Sequence, residues 1–163
     1  MKIIARDVPP RTAWSLEQAG VHPLLARLFA ARGVRTAEEL DDNASKLLPP
    51  QTLRGTQEAA VLLADAIAQG QRICIVADYD CDGATACATG LRGLRMLGAR
   101  PDQLSYVVPD RALHGYGLTP PIVELVKAQQ ADVLVTVDNG MASHEAVTRA
   151  RALGMRVIIT DHH

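Results

Sequence analysis

The stretch "ICIVADYDCDG", residues 73–83, contains an apolar run followed by aspartates at alternate positions and a glycine. The run is mostly β-branched and has no polar face, which predicts a buried strand that ends in Asp78, Asp80 and Asp82. The same aspartate spacing opens an EF-hand calcium loop, but that loop follows a helix and has a glutamate at its twelfth position, where this chain has Thr89. The sequence therefore predicts a carboxylate cluster at the end of a strand and argues against an EF-hand.

Strands and helices alternate through the rest of the chain. The hydrophobic pattern predicts strands at 73–77, 104–108, 133–137 and 156–160, and helices at 56–69 and near 84–97, 120–130 and 143–153. Strands separated by helix-length connections form a parallel sheet with helices on both faces. The predicted fold class is α/β.

The beginning of the chain has a different pattern. Residues 24–32 have apolar side chains at helical spacing, and residues 36–39 have the spacing of a capping box that opens another short helix. Residues 43–52 contain two consecutive prolines and are typical of a linker. We therefore predict a small helical segment with its linker at 1–52 and an α/β catalytic domain at 53–163.

Three of the predicted strands end in an acid. Asp78 follows "ICIVA", Asp138 opens "DNG" after "VLVTV", and Asp161 opens "DHH" after "RVIIT". Any one of these could cap a helix or stabilise a turn. However, the carboxyl ends of parallel strands lie at one edge of the sheet, so the three acids are expected to converge there. Together with His162 and His163, they indicate a metal site.

The residue types indicate which metal to expect. If the backbone stays extended, Asp80 and Asp82 point the same way, about 7 Å apart by the ~3.3 Å rise per residue. An aspartate between them, such as Asp138, would bridge two ions ~3.5–4 Å apart. Carboxylates with one or two imidazoles favour Mn²⁺ or Mg²⁺ over zinc. Because neighbouring side chains diverge, we expect only one of His162 and His163 to be a direct ligand.

The charge distribution is compatible with an anionic substrate. The 163-residue chain has a net charge of −1. Its 17 lysines and arginines nevertheless outnumber the acids that remain when the five aspartates of the predicted metal site are set aside, which are Asp78, Asp80, Asp82, Asp138 and Asp161. Aromatic residues make up only 3% of the chain, so stacking on nucleic-acid bases would depend on Tyr79, Tyr106 or Tyr116. A metal site facing an anionic substrate fits this distribution.

The cysteines and the hydropathy pattern predict a cytoplasmic location. Cys74, Cys81 and Cys87 are odd in number and have no CxxC spacing, which is typical of reduced thiols. The first residues lack the apolar stretch of a signal peptide, and no window approaches the ~20 apolar residues of a membrane span.

Four motifs in this order, "ADYDCDG", "VPDRALHGYGL", "TVDNG" and "TDHH", resemble those of the DHH phosphoesterases. Within that family the chain is similar to the single-stranded-DNA exonucleases, and its segment "RGVRTAEEL" also resembles the lead-in segment of those proteins. The resemblance implies a two-metal, usually Mn²⁺-dependent, 5′→3′ exonuclease that acts in DNA repair and recombination. It implies single-stranded DNA as the binding partner, and we expect a monomer that also interacts with other repair proteins.

The resemblance also implies roles for individual residues. The implied metal ligands are Asp78, Asp80, Asp82, Asp138 and His162. Of these, Asp138 would bridge the two ions. Asp78 and Asp161 would be ligands or would support ligands by hydrogen bonds. His163, with Asp161 in the catalytic group, would help hold the scissile phosphate or the attacking water. Arg111 and Tyr116 would bind substrate, since the arginine fork matches a phosphate.

Two alternatives to the exonuclease remain open. One is a DHH phosphoesterase for small substrates, such as pyrophosphate, cyclic dinucleotides or short oligonucleotides. The other is a catalytically inactive truncation, because family members continue beyond "DHH" into another aspartate motif, a second domain and an OB-fold. We therefore expect this chain to bind metal weakly and to degrade DNA poorly. The α-carboxylate of His163 would be ionised beside the cluster at neutral pH.

Overall fold

The computed structural model describes residues 4–163, and the first three residues of the predicted segment 1–52 lie outside the described part. The chain divides into two compact units, Met1–Leu53 and Arg54–His163. No helix in the described part combines the length and apolar character needed to cross a bilayer.

The first unit is helical. Its helices are α1 (Pro10–Gln18) and α2 (Pro23–Ala31), each opened by a proline at the first helical position, where no backbone N–H is needed. Three short 3₁₀ turns follow, at Ala37–Leu40, Ala44–Lys46 and Pro50–Thr52. Small apolar side chains of α1 and α2 form a core of their own: Ala13, Leu16, Ala26 and Ala30. The helix predicted at 24–32 is confirmed, whereas the one predicted from residue 36 is a single 3₁₀ turn.

The second unit is an α/β domain with one four-stranded sheet. In chain order its elements are α3 (Thr56–Ala68), β1 (Ile73–Ala77), α4 (Cys81–Met96), β2 (Leu104–Val107), α5 (Arg111–His114), α6 (Pro120–Ala128), β3 (Val133–Val137), α7 (His144–Ala152) and β4 (Arg156–Thr160). All strand pairs are parallel, in the order β2-β1-β3-β4. The predicted fold class is confirmed. The short helix α5 was not predicted, and α4 begins three residues before its predicted start.

Helices cover both faces of the sheet. Ile73 and Ile75 of β1 pack with side chains of α3 and α4, whereas Cys74 and Val76 pack with those of α6 and α7. Every residue of β1 and β3 is buried, which explains why these strands are continuous apolar runs without alternation.

The sheet has a topological switch point between β1 and β3. The chain leaves β1 through α4 on one face and leaves β3 through α7 on the other. Ligands of open α/β sheets bind in the crevice at the carboxyl ends of such diverging strands. The fold therefore directs attention to the tips of β1 and β3.

The three cysteines should differ sharply in reactivity. Cys74 and Cys87 are buried and Cys81 is exposed, and burial raises the pKa of the Cys74 thiol to about 11. Since thiolates are the reactive form, we expect dithiobis(nitrobenzoate) at pH 8 to label one thiol rapidly in the folded protein and all three in denaturant. The Cys81→Ser variant should lack the rapid phase, and a rapid phase that survives this substitution would contradict the burial pattern.

Candidate metal centre

The turn after β1 places two aspartates beside the start of α4. Asp78 is buried, and its Oδ1 accepts a hydrogen bond from the backbone N–H of Tyr79 at 2.9 Å. Asp80 is the N-cap of α4, where its Oδ1 accepts from the N–H of Gly83 at 3.2 Å. The expected extended backbone through Asp82 is therefore wrong, since Asp82 lies in the first helical turn. Aspartate is a favoured N-cap residue, and that preference outweighs continuation of the strand.

Gly83 allows α4 to begin against the tip of β1. A Cβ atom at this position would lie 2.6 Å from the carbonyl oxygen of Asp78 and 2.8 Å from its carbonyl carbon. Only glycine lets the two backbones approach so closely. This contact keeps Asp80 and Asp82 next to Asp78.

The tip of β3 turns abruptly at Asp138. Its φ of 63° is in the left-handed region, which aspartate and asparagine tolerate better than other residues with a Cβ. The side chain is 7% exposed. Asp138 therefore leaves the sheet with its carboxylate buried in the crevice beside β1.

Two groups of possible ligands meet at this edge of the sheet. Within each group, one ligand atom per residue lies within 4.8 Å of the others, and the groups are Asp78, Asp80 and Asp138, and Asp138, His162 and His163. His162 Nε2 lies 2.8 Å from Asp138 Oδ1 and 3.8 Å from Asp82 Oδ2. Asp82 belongs to neither group. Asp138 is shared by both, so three strand tips supply one continuous cluster.

The acids of the β1–α4 turn perturb one another. The N–H of Gly83 lowers the pKa of Asp80, but the hydrogen bond with Asp82, some loss of hydration and the charges of Asp82 and Asp78 together raise that pKa above its usual value. The pKa of Asp82 is lowered, chiefly by its hydrogen bond with Asp80. Carboxylates this close resist joint ionisation, and a bound cation would relieve their repulsion.

Asp161 follows β4 and belongs to neither group, although its side chain contacts His163 of the second one. Its side chain is 3% exposed, Oδ2 accepts from the N–H of Met141 at 2.8 Å, and Oδ1 lies 2.7 Å from Nδ1 of His163. Burial raises the pKa of Asp161, but the hydrogen bonds from Met141 and His163 outweigh it and lower that pKa overall. The pKa of His163 is raised, chiefly by the hydrogen bond to Asp161. Asp161 thus orients the His163 ring.

Arg111 and Tyr116 lie beside the cluster, on α5 and in the loop that follows it. The Arg111 guanidinium carbon stacks 4.6 Å from the ring centroid of Tyr79 and 5.7 Å from that of Tyr116. The Tyr116 hydroxyl donates to the carbonyl of Asp138 at 3.0 Å and lies 3.2 Å from Nδ1 of His163. Partial burial and the nearby carboxylates raise the pKa of Tyr116. The motif "VPDRALHGYGL" therefore meets the acids in space.

Some residues that shape this site were not selected from the sequence. Tyr79 was considered only as a surface for base stacking, yet it packs against Arg111. Asn139 was part of the "DNG" motif without a role, yet it is completely buried. A polar residue directly after a buried acid was the available signal in both cases.

The donor set fits Mn²⁺ or Mg²⁺. Carboxylate oxygens dominate it, with imidazole nitrogens added, and no cysteine sulfur belongs to either group among the described residues. Oδ1 of Asp138 is buried and accepts no hydrogen bond from any described residue, although His162 Nε2 is close. A buried carboxylate oxygen without a hydrogen-bond donor, next to other potential metal ligands, is what a cation site requires.

A comparison with protein families agrees with the motifs. The profile of the DHH family, N-terminal domain, matches residues 72–163, more than half of the chain, including both ligand groups. The chain belongs to the DHH family. The resemblance inferred from the four motifs is therefore confirmed.

Individual relatives of this DHH-family chain share the name RecJ. It is 48% identical over 145 residues to the single-stranded-DNA-specific exonuclease RecJ of Salmonella typhimurium, covering 89% of this chain and 25% of that protein. It is 39% identical over 160 residues to RecJ of Thermus thermophilus, covering 96% of this chain and 23% of that protein. The chain thus spans about a quarter of the length of these relatives.

Solved structures give the same match. A crystal structure of exonuclease RecJ bound to manganese aligns with a TM-score of 0.62 at 41% identity, covering 71% of this chain and 28% of that one. Thermus thermophilus RecJ in complex with Mn²⁺ aligns with a TM-score of 0.61 at 35% identity, covering 98% of this chain and 22% of that one. The DHH-family fold is therefore found in proteins crystallised with manganese.

Proposed function

We propose that this chain provides the metal centre of a 5′→3′ exonuclease that degrades single-stranded DNA during repair and recombination. The observation that carries the proposal is that Asp138 is shared by two ligand groups at the tips of β1, β3 and β4. The similarity to RecJ exonucleases over most of the chain supports the substrate. The unit Arg54–His163 would be the catalytic domain.

We assign two Mn²⁺ or Mg²⁺ ions to the cluster, with Asp138 between them. Asp78 and Asp80 would complete one site, and His162 the other, with Asp82 reaching the ions from the first turn of α4. The short distance from Asp82 to His162 supports this last assignment. When bound, such a pair of ions lowers the pKa of water and neutralises charge on the attacking and leaving oxygens.

The remaining residues would act on substrate. The planar guanidinium of Arg111 is suited to a bidentate contact with a phosphate, and its stacking between Tyr79 and Tyr116 supports a fixed orientation. His163, whose pKa is raised by Asp161, would hold a proton near the scissile phosphate or the attacking water. Tyr116 would keep the Arg111 loop against the tip of β3, as its bond to the carbonyl of Asp138 supports.

The proposal predicts Mn²⁺-dependent release of mononucleotides from a 5′-phosphorylated single strand. The matched variant Arg111→Lys keeps the charge but loses the planar fork, so KM should rise about tenfold, equivalent to ~1.4 kcal/mol for a weakened charge-assisted contact. Product release would be followed by anion-exchange chromatography with labelled oligonucleotide.

The same assay separates the alternatives. Faster hydrolysis of dinucleotides or pyrophosphate than of a long single strand would identify a small-substrate phosphoesterase. Binding of single-stranded DNA that does not depend on metal, without hydrolysis, would identify an inactive binding module. Absence of Mn²⁺ binding by calorimetry would refute the metal centre itself.

We further propose that the protein is a monomer in the cytoplasm and interacts with other repair proteins. The three unpaired cysteines support a reducing compartment.

A further inference from the structure

The tips of β1 and β3 are tied together by the side chain of Asn139. The backbone pairing of these strands ends at Ala77 and Val137. Asn139 lies two residues past the end of this ladder, and its Nδ2 donates back to the carbonyl of Val76 at 3.1 Å and to the carbonyl of Val137 at 2.9 Å. The carboxamide thus continues the cross-strand bonding after the ladder has ended. Asn139 is fully buried, so its contribution must be made through these contacts.

The tips of β3 and β4 have a separate tie. The hydroxyl of Thr160 donates to the carbonyl of Thr136 at 2.6 Å, and the N–H of Thr160 donates to the Thr136 hydroxyl at 3.3 Å. Thr160 is the last residue of β4. A second link lies one residue further, where Asp161 accepts from the N–H of Met141. None of these bonds involves β1.

Each tie lies directly behind one of the two ligand groups. Asn139 joins the strand that leads to Asp78 and Asp80 with the strand that leads to Asp138. Thr160 joins the strand that leads to Asp138 with the strand that leads to His162. The two ties are therefore independent, although the ligand groups that they support share a residue.

The ties oppose a force that the site itself creates. Carboxylates within 4.8 Å of one another repel when ionised, and nothing in the sheet ladder beyond Ala77 and Val137 resists their separation. Hydrogen-bonding partners of metal sites change metal affinity ~10- to 100-fold when they are removed. Loss of a tie should therefore weaken the site that it supports by about that factor.

We propose that Asn139 and Thr160 are positioning residues that set the affinities of two different metal ions: Asn139 that of the site formed by Asp78, Asp80 and Asp138, and Thr160 that of the site formed by Asp138 and His162. The inference rests on the proposed metal centre. It adds a specific claim: the binding of each ion can be weakened separately by changing a residue, buried Asn139 or exposed Thr160, that belongs to neither ligand group.

The test is a Mn²⁺ titration of the wild-type chain and of two variants, Asn139→Ala and Thr160→Val. Calorimetry gives the two affinities, and ¹⁴N modulation in electron spin echo spectra reports whether the retained ion has an imidazole ligand. Asn139→Ala should lose ~10- to 100-fold affinity at one site and keep an ion that shows histidine nitrogen. Thr160→Val should lose affinity at the other site and keep an ion without it. Thr160→Ser, which keeps the hydroxyl, should bind both ions with the affinities of the wild type.

The possible outcomes separate this inference from the function on which it rests. If the wild type binds no Mn²⁺, the metal centre fails and the inference fails with it. If the wild type binds two ions but the variants weaken the same ion, both ions equally or neither, only the positioning inference is overturned. Circular dichroism and thermal unfolding in chelator establish that each variant is folded. Should Asn139→Ala not fold, the contrast between Thr160→Val and Thr160→Ser decides by the same spectroscopic readout.

Discussion

Asp138→Asn is expected to weaken the binding of both metal ions strongly, because Asp138 belongs to both ligand groups. The substitution removes the charge while keeping the size of the side chain. Asparagine also tolerates the left-handed backbone of this position, where φ is 63°, so the fold should survive. We expect Mn²⁺ affinity to fall by about 100-fold or more at each site, since one charged ligand is lost from both. Isothermal titration calorimetry would measure the two affinities.

A matched control is Asp102→Asn. Asp102 is an exposed acid of the same domain that pairs with Arg100 at 3.2 Å and belongs to neither ligand group. This variant should bind Mn²⁺ as the wild type does. If Asp138→Asn instead retained one site at full affinity, Asp138 would not be a ligand shared by two ions. Alanine is the poorer choice at position 138, because it would add backbone strain to the loss of a ligand.

Gly83→Ala is expected to destabilise the protein by about 2 kcal/mol or more. The new methyl group would lie within 3 Å of backbone atoms of Asp78, and these cannot move without separating α4 from the tip of β1. Overpacking of this kind costs ~1–3 kcal/mol where side chains alone must adjust. Urea unfolding in chelator would measure the change. Mn²⁺ affinity should also fall, because the turn that holds Asp80 and Asp82 must shift.

The control for this prediction lies on the same helix. Gly93 also has ordinary helical backbone, and a Cβ there would meet nothing within 4 Å. Gly93→Ala should therefore stabilise the protein by about 1 kcal/mol, the difference in helix propensity between the two residues. Equal stability of the Gly83 and Gly93 variants would show that the close approach of α4 to Asp78 does not constrain the protein.

The fold was largely predictable because its main signals are local. Buried parallel strands are rich in apolar residues, and the predicted strands 73–77 and 133–137 have the same bounds in the structure and are fully buried. The predicted strand 156–160 also has the same bounds, although only Ile158 in it is buried. The convergence of Asp78 and Asp138 followed from topology alone, since parallel strands end at one edge. The helix α5 was missed because it is a single turn whose N-cap, Asp110, was treated as part of a loop.

The arrangement inside the site was less predictable, because spacing does not determine where a side chain points. Asp80 and Asp82 alternate in sequence as they would in a strand, but capping by Asp80 starts a helix and moves Asp82 to its exposed first turn. Asp161 follows its strand as Asp138 does, yet it accepts a hydrogen bond from Met141 and orients His163. The ties made by Asn139 and Thr160 join residues distant in sequence, so no local pattern indicates them.

The strand order has a consequence for how the domain acquires its chemistry. β1 lies in the interior of the sheet, and although β2 is the next strand along the chain, its other neighbour, β3, comes later. One side of β1 therefore stays open during folding until that more distant strand docks, a step slowed by the entropy of closing a long loop. Asp138 arrives with β3 and the histidines with β4, so the two groups of possible metal ligands come together only when the sheet is complete.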